Sequence, residues 1–539
     1  MRRPSGQSVA RTLVGATVLI AGLTVLSRVA GFGRILVFGR TVGTTCLGDT
    51  YQAVNTVPNI VFEVVAGGAL ASLVVPLLAR AADAGDRQRV RDGAAALLTW
   101  TLLLLVPLAA LVALLAEPLA RALLAHKAGC GDDAVRVGAA MLRVFAPQIP
   151  LYGVGIVLTG VLQASRRFGA PALAPLLSSL VVIAAYLTYA VVAPSGTDVA
   201  TVSTGEQLVL SVGTTLGVAA LTLCLLWPVT RAGLRLRPRL SFPPGMAVRA
   251  GALAGAAVVV LIAQQAAVAV TLLLGNGAGV PTGRMTVFVF AQTVFLLPWA
   301  VIAVPVATSV FGRLASRWDA GDRDGYARAL AASMRTVLLG CALATAILVA
   351  AGWPIARVLV QSAPGAPSVG PLAAGIIALA PGLVGYGLYA LLSRALYAQG
   401  AARAVAAASV AGWAAVAVAD LVLAGLLAPA DRVLALALGN SIGMTLLGVL
   451  LALLVARRSG APAFAGVPRA AAAAIAGAAL GCVAGLLAAR LWHGGGLPAV
   501  VGQTAFVTAV VLVVFAALAW WVCRDDLVAM RTRGRPADG

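Results

Sequence analysis

Apolar runs of about 20 residues recur along the whole 539-residue chain, each long enough to cross a hydrocarbon core of about 30 Å. Inside lipid a backbone must satisfy its own hydrogen bonds, and a helix does so within one segment. The sequence is 61% hydrophobic and only 11% charged, a balance foreign to a soluble domain. The expected fold is therefore all-α and polytopic. About fourteen spans are expected: 11–40, 51–79, 93–116, 134–164, 171–193, 207–229, 248–275, 284–313, 328–354, 370–398, 403–428, 433–456, 468–491 and 497–523. The first run has no convincing cleavage site and is read as the first membrane helix. The eighth contains Pro298 and Pro305 and should kink.

The net charge of +21 is topological rather than a sign of nucleic-acid binding. Arginine collects in alternate loops: Arg80, Arg87, Arg89 and Arg91; Arg166 and Arg167; Arg231, Arg235, Arg237 and Arg239; Arg313, Arg317 and Arg323; Arg457 and Arg458. Arg2 and Arg3 begin the chain, and Arg531, Arg533 and Arg535 end it. Positive charge marks the cytoplasmic face, so both termini are expected there.

The segment Asp83-Ala-Gly-Asp-Arg87 recurs as Asp319-Ala-Gly-Asp-Arg323, six helices later. The match predicts a duplicated six-helix unit, with helices 1–6 in residues 1–230 and helices 7–12 in 231–458. Helices 13 and 14 (459–523) and a cytoplasmic tail (524–539) would follow. Parallel repeats place a cavity between the halves. The paired aspartates read as loop caps and ion pairs. Gly477, Gly481 and Gly485 in helix 13, and Gly251 and Gly255 in helix 7, read as close helix contacts.

Arg28, Arg34 and Arg40 lie in the first apolar run. An arginine at mid-bilayer costs a contested ~2.5 to 17 kcal/mol, so it normally faces a cavity or a partner. Arg40 lies near the end of the run and can snorkel. Arg28 and Arg34 differ in depth by about 9 Å, and Gly31 and Gly33 between them would permit a bend. Glu63 in helix 2 is the candidate counter-charge. Two or three arginines against one carboxylate leave a cationic surplus. Guanidinium binds phosphate bidentately, which points to an anionic, phosphate-bearing substrate.

Asp420 sits within helix 11, and Asn440, Ser441 and Thr445 sit in helix 12. Asp420 with Asn440 and Thr445 could hold a coupling Na+ or H+. The alternative is a charge pair with Arg432 or Arg394. Six scattered cysteines and two lone histidines, His126 and His493, argue against a metal site or a disulfide scaffold. Cys46 and Cys130 fall in outer loops where oxidation is possible, but the sequence does not favour their pairing. Walker A, nucleophile-elbow and HExxH patterns are absent, so no enzyme is expected.

Ser27-Arg-Val-Ala-Gly-Phe-Gly-Arg34, then Asp49, Pro58-Asn59, Gly68-Ala69-Leu70 and Val75-Pro76, closely resemble the opening hairpin of the MurJ (MviN) lipid II flippases. Those proteins belong to the multidrug/oligosaccharidyl-lipid/polysaccharide exporter superfamily. Leu162-Gln-Ala-Ser-Arg-Arg-Phe-Gly-Ala-Pro171 and Leu396-Tyr-Ala-Gln-Gly400 are similar to the family as well. The resemblance implies two six-helix lobes around a central cationic cavity, with two extra C-terminal helices. It implies alternating-access transport of lipid-linked peptidoglycan precursor to the outer leaflet. Arg28 and Arg34 then stand for the diphosphate-binding arginines, and Ser27, Asp49, Asn59 and Glu63 for cavity or motif positions. Partners would be a lipid-linked anionic glycan, membrane lipids and the cell-wall synthesis machinery. Many members carry arginine where this chain has Phe62 and Thr293. A flippase for another polyprenyl-diphosphate-linked saccharide, or a cation-coupled exporter, is the alternative. A polytopic glycosyltransferase would need a large outer loop with a catalytic acid, and the expected outer loops are short. A division scaffold would not need Arg28 and Arg34.

Overall fold

The computed structural model describes residues 6–64, 78, 84–127, 129–194, 196–231, 237–241, 246–361, 363–365, 368–492, 494 and 496–533. Among these the architecture is helical, with only an isolated bridge between Thr44 and Gly365 outside the helices and turns. Among the described residues, twelve helices are long and apolar enough to cross a membrane, thirteen when one bent pair counts as a single span. The second expected span, 51–79, is described only to residue 64 and at residue 78. Gly68, Ala69, Leu70, Val75, Pro76, Arg80 and Asp83 lie outside the described residues.

The chain divides into two compact units. Unit 1 comprises 1–265 with the short segments 276–283 and 363–366. Its helices are α1 (Gly6–Thr41), α2 (Cys46–Phe62), α3 (Arg87–Leu114), α4 (Ala116–Leu124), α5 (Gly131–Phe145), α6 (Gln148–Ala164), α7 (Gly169–Val192) and α8 (Thr204–Arg231). The next helix, α9 (Met246–Gly275), continues into unit 2. That unit contains 266–275, 284–362 and 367–539. Its helices are α10 (Arg284–Pro298), α11 (Val304–Asp319), α12 (Arg323–Ala350), α13 (Gly352–Val360), α14 (Val369–Leu379), α15 (Gly382–Ala398), α16 (Ala402–Leu426), α17 (Arg432–Ser459), α18 (Val467–Arg490) and α19 (Leu497–Arg533).

Local chemistry explains the breaks. The fourth expected span is two helices, α5 and α6, because Ala146 and Pro147 interrupt it. The tenth is α14 and α15, bent by 44° at Ala380-Pro381. The expected kink after Pro298 is a π-helical turn, Trp299–Ala303, between α10 and α11. By contrast α1 runs unbroken through Gly31 and Gly33.

The repeated acidic motif caps helices in both units. Asp86 accepts from the Arg89 amide at 2.9 Å, and Asp322 from the Gly325 amide at 2.8 Å. Each cap opens a 28-residue helix that is followed by a nine-residue one. A 17-residue helix then ends each run, α6 in unit 1 and α15 in unit 2. The glycine stripe of α18 packs as expected against α19. A Cβ at Gly477 would stand 3.0 Å from Phe515, and one at Gly485 2.5 Å from Val511. Gly251 and Gly255 lie outside the residues described for packing.

Candidate functional site

Arg34 projects from α1 one helical turn before Phe38, which is buried. Phe38 packs on Tyr51 of α2 and Tyr186 of α7, with ring centroids 5.1 and 5.2 Å away. Phe145 closes the cluster edge-on to Tyr51 at 5.7 Å. The Tyr51 hydroxyl lies 2.8 Å from that of Tyr186 and 2.6 Å from Thr214 Oγ1. Buried hydroxyls demand such partners, and here three helices supply them. The half-buried Arg34 lies within electrostatic reach of Tyr51, Tyr152 and Tyr186.

Tyr152 of α6 continues the site. Its hydroxyl hydrogen-bonds the Asn59 side chain and donates to Gln148 Oε1 at 3.4 Å, and its ring lies 5.4 Å from that of Phe62. Asn59 Nδ2 also donates to the Asn55 carbonyl at 3.0 Å. The fully buried Gln148 donates through Nε2 to Thr215 Oγ1 at 3.1 Å. The sequence-predicted Arg34 and Asn59 thus come together in unit 1, on a tyrosine network that the sequence reading missed. Its signal was available: tyrosines inside apolar runs need hydrogen-bond partners.

The other predicted residues are placed differently. Arg28 and Arg40 are exposed, and Ser27 is half-buried. Glu63 is half-buried, and among the described residues it makes no ion pair with Arg28 or Arg34. Among the described residues, then, no carboxylate pairs with Arg34.

Asp49 is not in that cluster. It lies in the first turn of α2, which Thr45 caps by accepting from the Gly48 amide. Fully buried, Asp49 pairs with Lys127 Nζ at 2.7 Å and accepts from the Gly283 amide at 2.7 Å. Lys127, the only lysine of the chain, is buried too. Beside this pair Cys46 is disulfide-bonded to Cys130, with Cα atoms 5.6 Å apart. The reading that left these thiols unpaired is overturned: the fold brings the α2 N-terminus and Cys130 within bridging distance, beside the Lys127–Asp49 ion pair. The Leu47 amide donates to Asp198 Oδ1 at 2.7 Å, and the Thr44 amide to the Pro364 carbonyl at 2.9 Å. Gly283 has φ +85°, and a Cβ there would run into the Thr44 carbonyl, so only glycine fits.

In unit 2, Asp420 is fully buried in α16. Thr271 of α9 donates to its Oδ2 at 2.7 Å, while Oδ1 has no hydrogen-bond partner among the described residues. Gly439 of α17 abuts that free oxygen, and the adjacent Asn440 also has an unpaired Oδ1. The alternative charge pair is not formed: Arg432 donates to the Ala424 carbonyl at 2.8 Å and Arg394 to the Ala390 carbonyl at 2.7 Å. Thr445 is exposed, and the side chain that meets the Asp420 carboxylate directly is Thr271.

Solved structures share this fold. A lipid II flippase MurJ in an inward closed conformation superposes with a TM-score of 0.72 at 16% identity, covering 95% of this chain and 100% of that one. An inward-facing multidrug resistance MATE family transporter of the MOP superfamily gives 0.65 at 13% identity, covering 83% and 98%. The probable lipid II flippase MurJ of Rhizobium meliloti is 26% identical over 363 residues, 65% of this chain and 64% of the relative. That of Vibrio cholerae is 22% identical over 406 residues, 73% and 74%. The family model "Lipid II flippase MurJ" matches residues 38–507, and the chain belongs to that family.

Proposed function

We propose that the protein carries lipid II, a lipid-linked peptidoglycan precursor, from the inner to the outer leaflet by alternating access. The observation that carries this reading is Arg34, a half-buried guanidinium with no carboxylate partner among the described residues, within electrostatic reach of the tyrosines of unit 1. Such a cation in a membrane helix fits a diphosphate, which it can bind bidentately. Arg28 is the second diphosphate ligand in this proposal. The arginine-rich loops support a topology with both termini cytoplasmic, and cell-wall polymerases would consume the flipped product.

Outward movement of an anionic lipid is favoured by an inside-negative potential, by about 2.3 kcal/mol per charge per 100 mV. The same field favours inward return of an empty cavity bearing Arg28 and Arg34. A coupling cation then assists without being obligatory. Its site would be Asp420 with Thr271 and Asn440, because a buried carboxylate oxygen without a donor calls for a proton or a cation. The test is rescue of peptidoglycan synthesis in cells depleted of their resident flippase. Arg34→Ala and Arg28→Ala should express normally and fail to rescue; Arg40→Ala should be milder. Full rescue by Arg34→Ala refutes the reading. For the cation, flipping by Asp420→Asn in vesicles with an imposed potential should lose its sodium or pH dependence. An unchanged ion dependence makes Asp420 structural.

A further inference from the structure

Two short segments, 276–283 between α9 and α10 and 363–365 between α13 and α14, pack within unit 1. The start of α2 holds both. Asp49 Oδ2 accepts from the Gly283 amide at 2.7 Å, and the Thr44 amide donates to the Pro364 carbonyl at 2.9 Å. Behind Asp49 stands Lys127, 2.7 Å from the same carboxylate oxygen. Behind Lys127 stands the disulfide, because Cys46 lies three residues before Asp49 and Cys130 three residues after Lys127. Gly129 and Gly131 flank Cys130 with φ +78° and +59°, so the turn that carries Lys127 is built from the most pliable residues of the chain. The sulfur bond pins that turn to α2. It is also covered by what it supports: Cys46 Sγ lies 3.7 Å from Thr282 Oγ1, and Cys46 and Cys130 are only 3% and 5% exposed.

We propose that Cys46–Cys130 is a redox switch on segment 276–283: oxidised, it keeps the segment on α2; reduced by a dithiol, it lets the segment go. A thiolate of the reductant attacks one cysteine sulfur and forms a mixed disulfide, and the other cysteine leaves as thiolate. The reductant's second thiol then closes its own disulfide and frees the first cysteine. Two electrons pass to the protein, and the two thiol protons of the reductant end on Cys46 and Cys130. With the bond open, Lys127 rides on a loose turn, and its effective concentration at Asp49 falls. A buried carboxylate that loses its cation gains by reaching water. Asp49 reaches water by parting from the Gly283 amide, so the segment lifts. Burial makes the switch state-selective, since the reductant meets the sulfurs only while Thr282 is away from Cys46. A chain that opens in the presence of the dithiol is therefore caught in its loosened form, while a closed chain is protected. On the topology read from the loop arginines, this end of α2 lies outside, where disulfides persist until a reductant is supplied. The inference is independent of which lipid the protein carries.

The test uses the full chain in phosphatidylglycerol–phosphatidylethanolamine nanodiscs, with tris(2-carboxyethyl)phosphine as the probe reductant. The phosphine and one water convert the disulfide to two thiols and leave the phosphine oxide. Alkylation and mass spectrometry count the thiols at Cys46 and Cys130. Hydrogen exchange is then read in peptides covering 276–284 and, as a reference, the interior of α6. Reduction should raise exchange at the Gly283 amide about tenfold or more and leave α6 unchanged. The double variant Cys46→Ser with Cys130→Ser should exchange like the reduced protein and ignore the phosphine. Unchanged exchange at Gly283 once both thiols are free overturns the proposal. So does a rise that extends into α6, which makes the bond a staple of unit 1 as a whole. A double variant that still responds to the phosphine places the effect on another group and overturns it too. Sulfurs that the phosphine never reaches in the folded protein do the same.

Discussion

Lys127→Met should loosen the tie between the α2 N-terminus and the segment linking α4 to α5 without disturbing the helices themselves. The substitution keeps the length of the side chain and removes its charge. In the native protein the side chains of Lys127 and Asp49 are 1% and 0% exposed, with 2.7 Å between Nζ and Oδ2. Removing one partner of a buried ion pair leaves an uncompensated charge and costs about 3–5 kcal/mol. At about 1.4 kcal/mol per tenfold, local opening should rise by roughly two to three and a half orders of magnitude. The Asp49 carboxylate still accepts from the Gly283 amide, which favours the lower end. Hydrogen exchange at the Leu47 and Gly283 amides reads this opening directly, since both donate to carboxylates of the cluster. The double variant Asp49→Asn with Lys127→Met removes both charges and should recover most of the loss, because an asparagine oxygen can still accept from Gly283. Unchanged protection in Lys127→Met would refute the argument. So would a double variant as damaged as the single one.

Mass spectrometry of the unreduced protein should find Cys46 and Cys130 joined in one peptide pair. Replacing both cysteines by alanine should cost less than the roughly 4.5 kcal/mol that loop closure over 84 residues gives for a random chain, because helices persist in the membrane-embedded unfolded state. Gly485→Ala should destabilise the α18–α19 pair by about 1–3 kcal/mol, since the new methyl meets Val511 and Ala350; an unaltered thermal midpoint would count against that packing. Asp322→Ala removes the α12 cap and should cost about 1 kcal/mol, read as earlier exchange of the Gly325 amide.

The membrane class was written plainly in the sequence, because span length and backbone satisfaction act segment by segment. The aspartate caps were legible for the same reason: a capping residue acts within three positions of itself. Proline marked the break at Pro298, though not whether it would be a bend or a π turn. At the candidate site Arg34 stood out because charge in an apolar run is anomalous on its face. What stayed hidden depends on residues far apart. Nothing local marks Lys127, and its partner lies 78 positions earlier in the first turn of α2. Cys46 and Cys130 looked scattered because helix packing alone brings their loops together. Asp420 invited pairing with the nearest arginines, yet Arg394 donates to the Ala390 carbonyl of its own helix and Arg432 to the Ala424 carbonyl of α16, and its actual donor, Thr271, comes from a helix 149 positions away.

The cluster around Asp49 also imposes an order on biosynthesis. Cys130 follows Cys46 by 84 residues, so at 5–20 residues per second it is made about 4–17 s later. Gly283 follows Asp49 by 234 residues and needs about 12–47 s; Pro364 follows Thr44 by 320 and needs about 16–64 s. During that interval the nascent chain can cross-link and charge-pair the α2 terminus before the later segments exist to cover it. The disulfide and the Lys127 ion pair need nothing beyond residue 130, so both can form before the Gly283 amide exists, whereas the finished Asp49 site cannot.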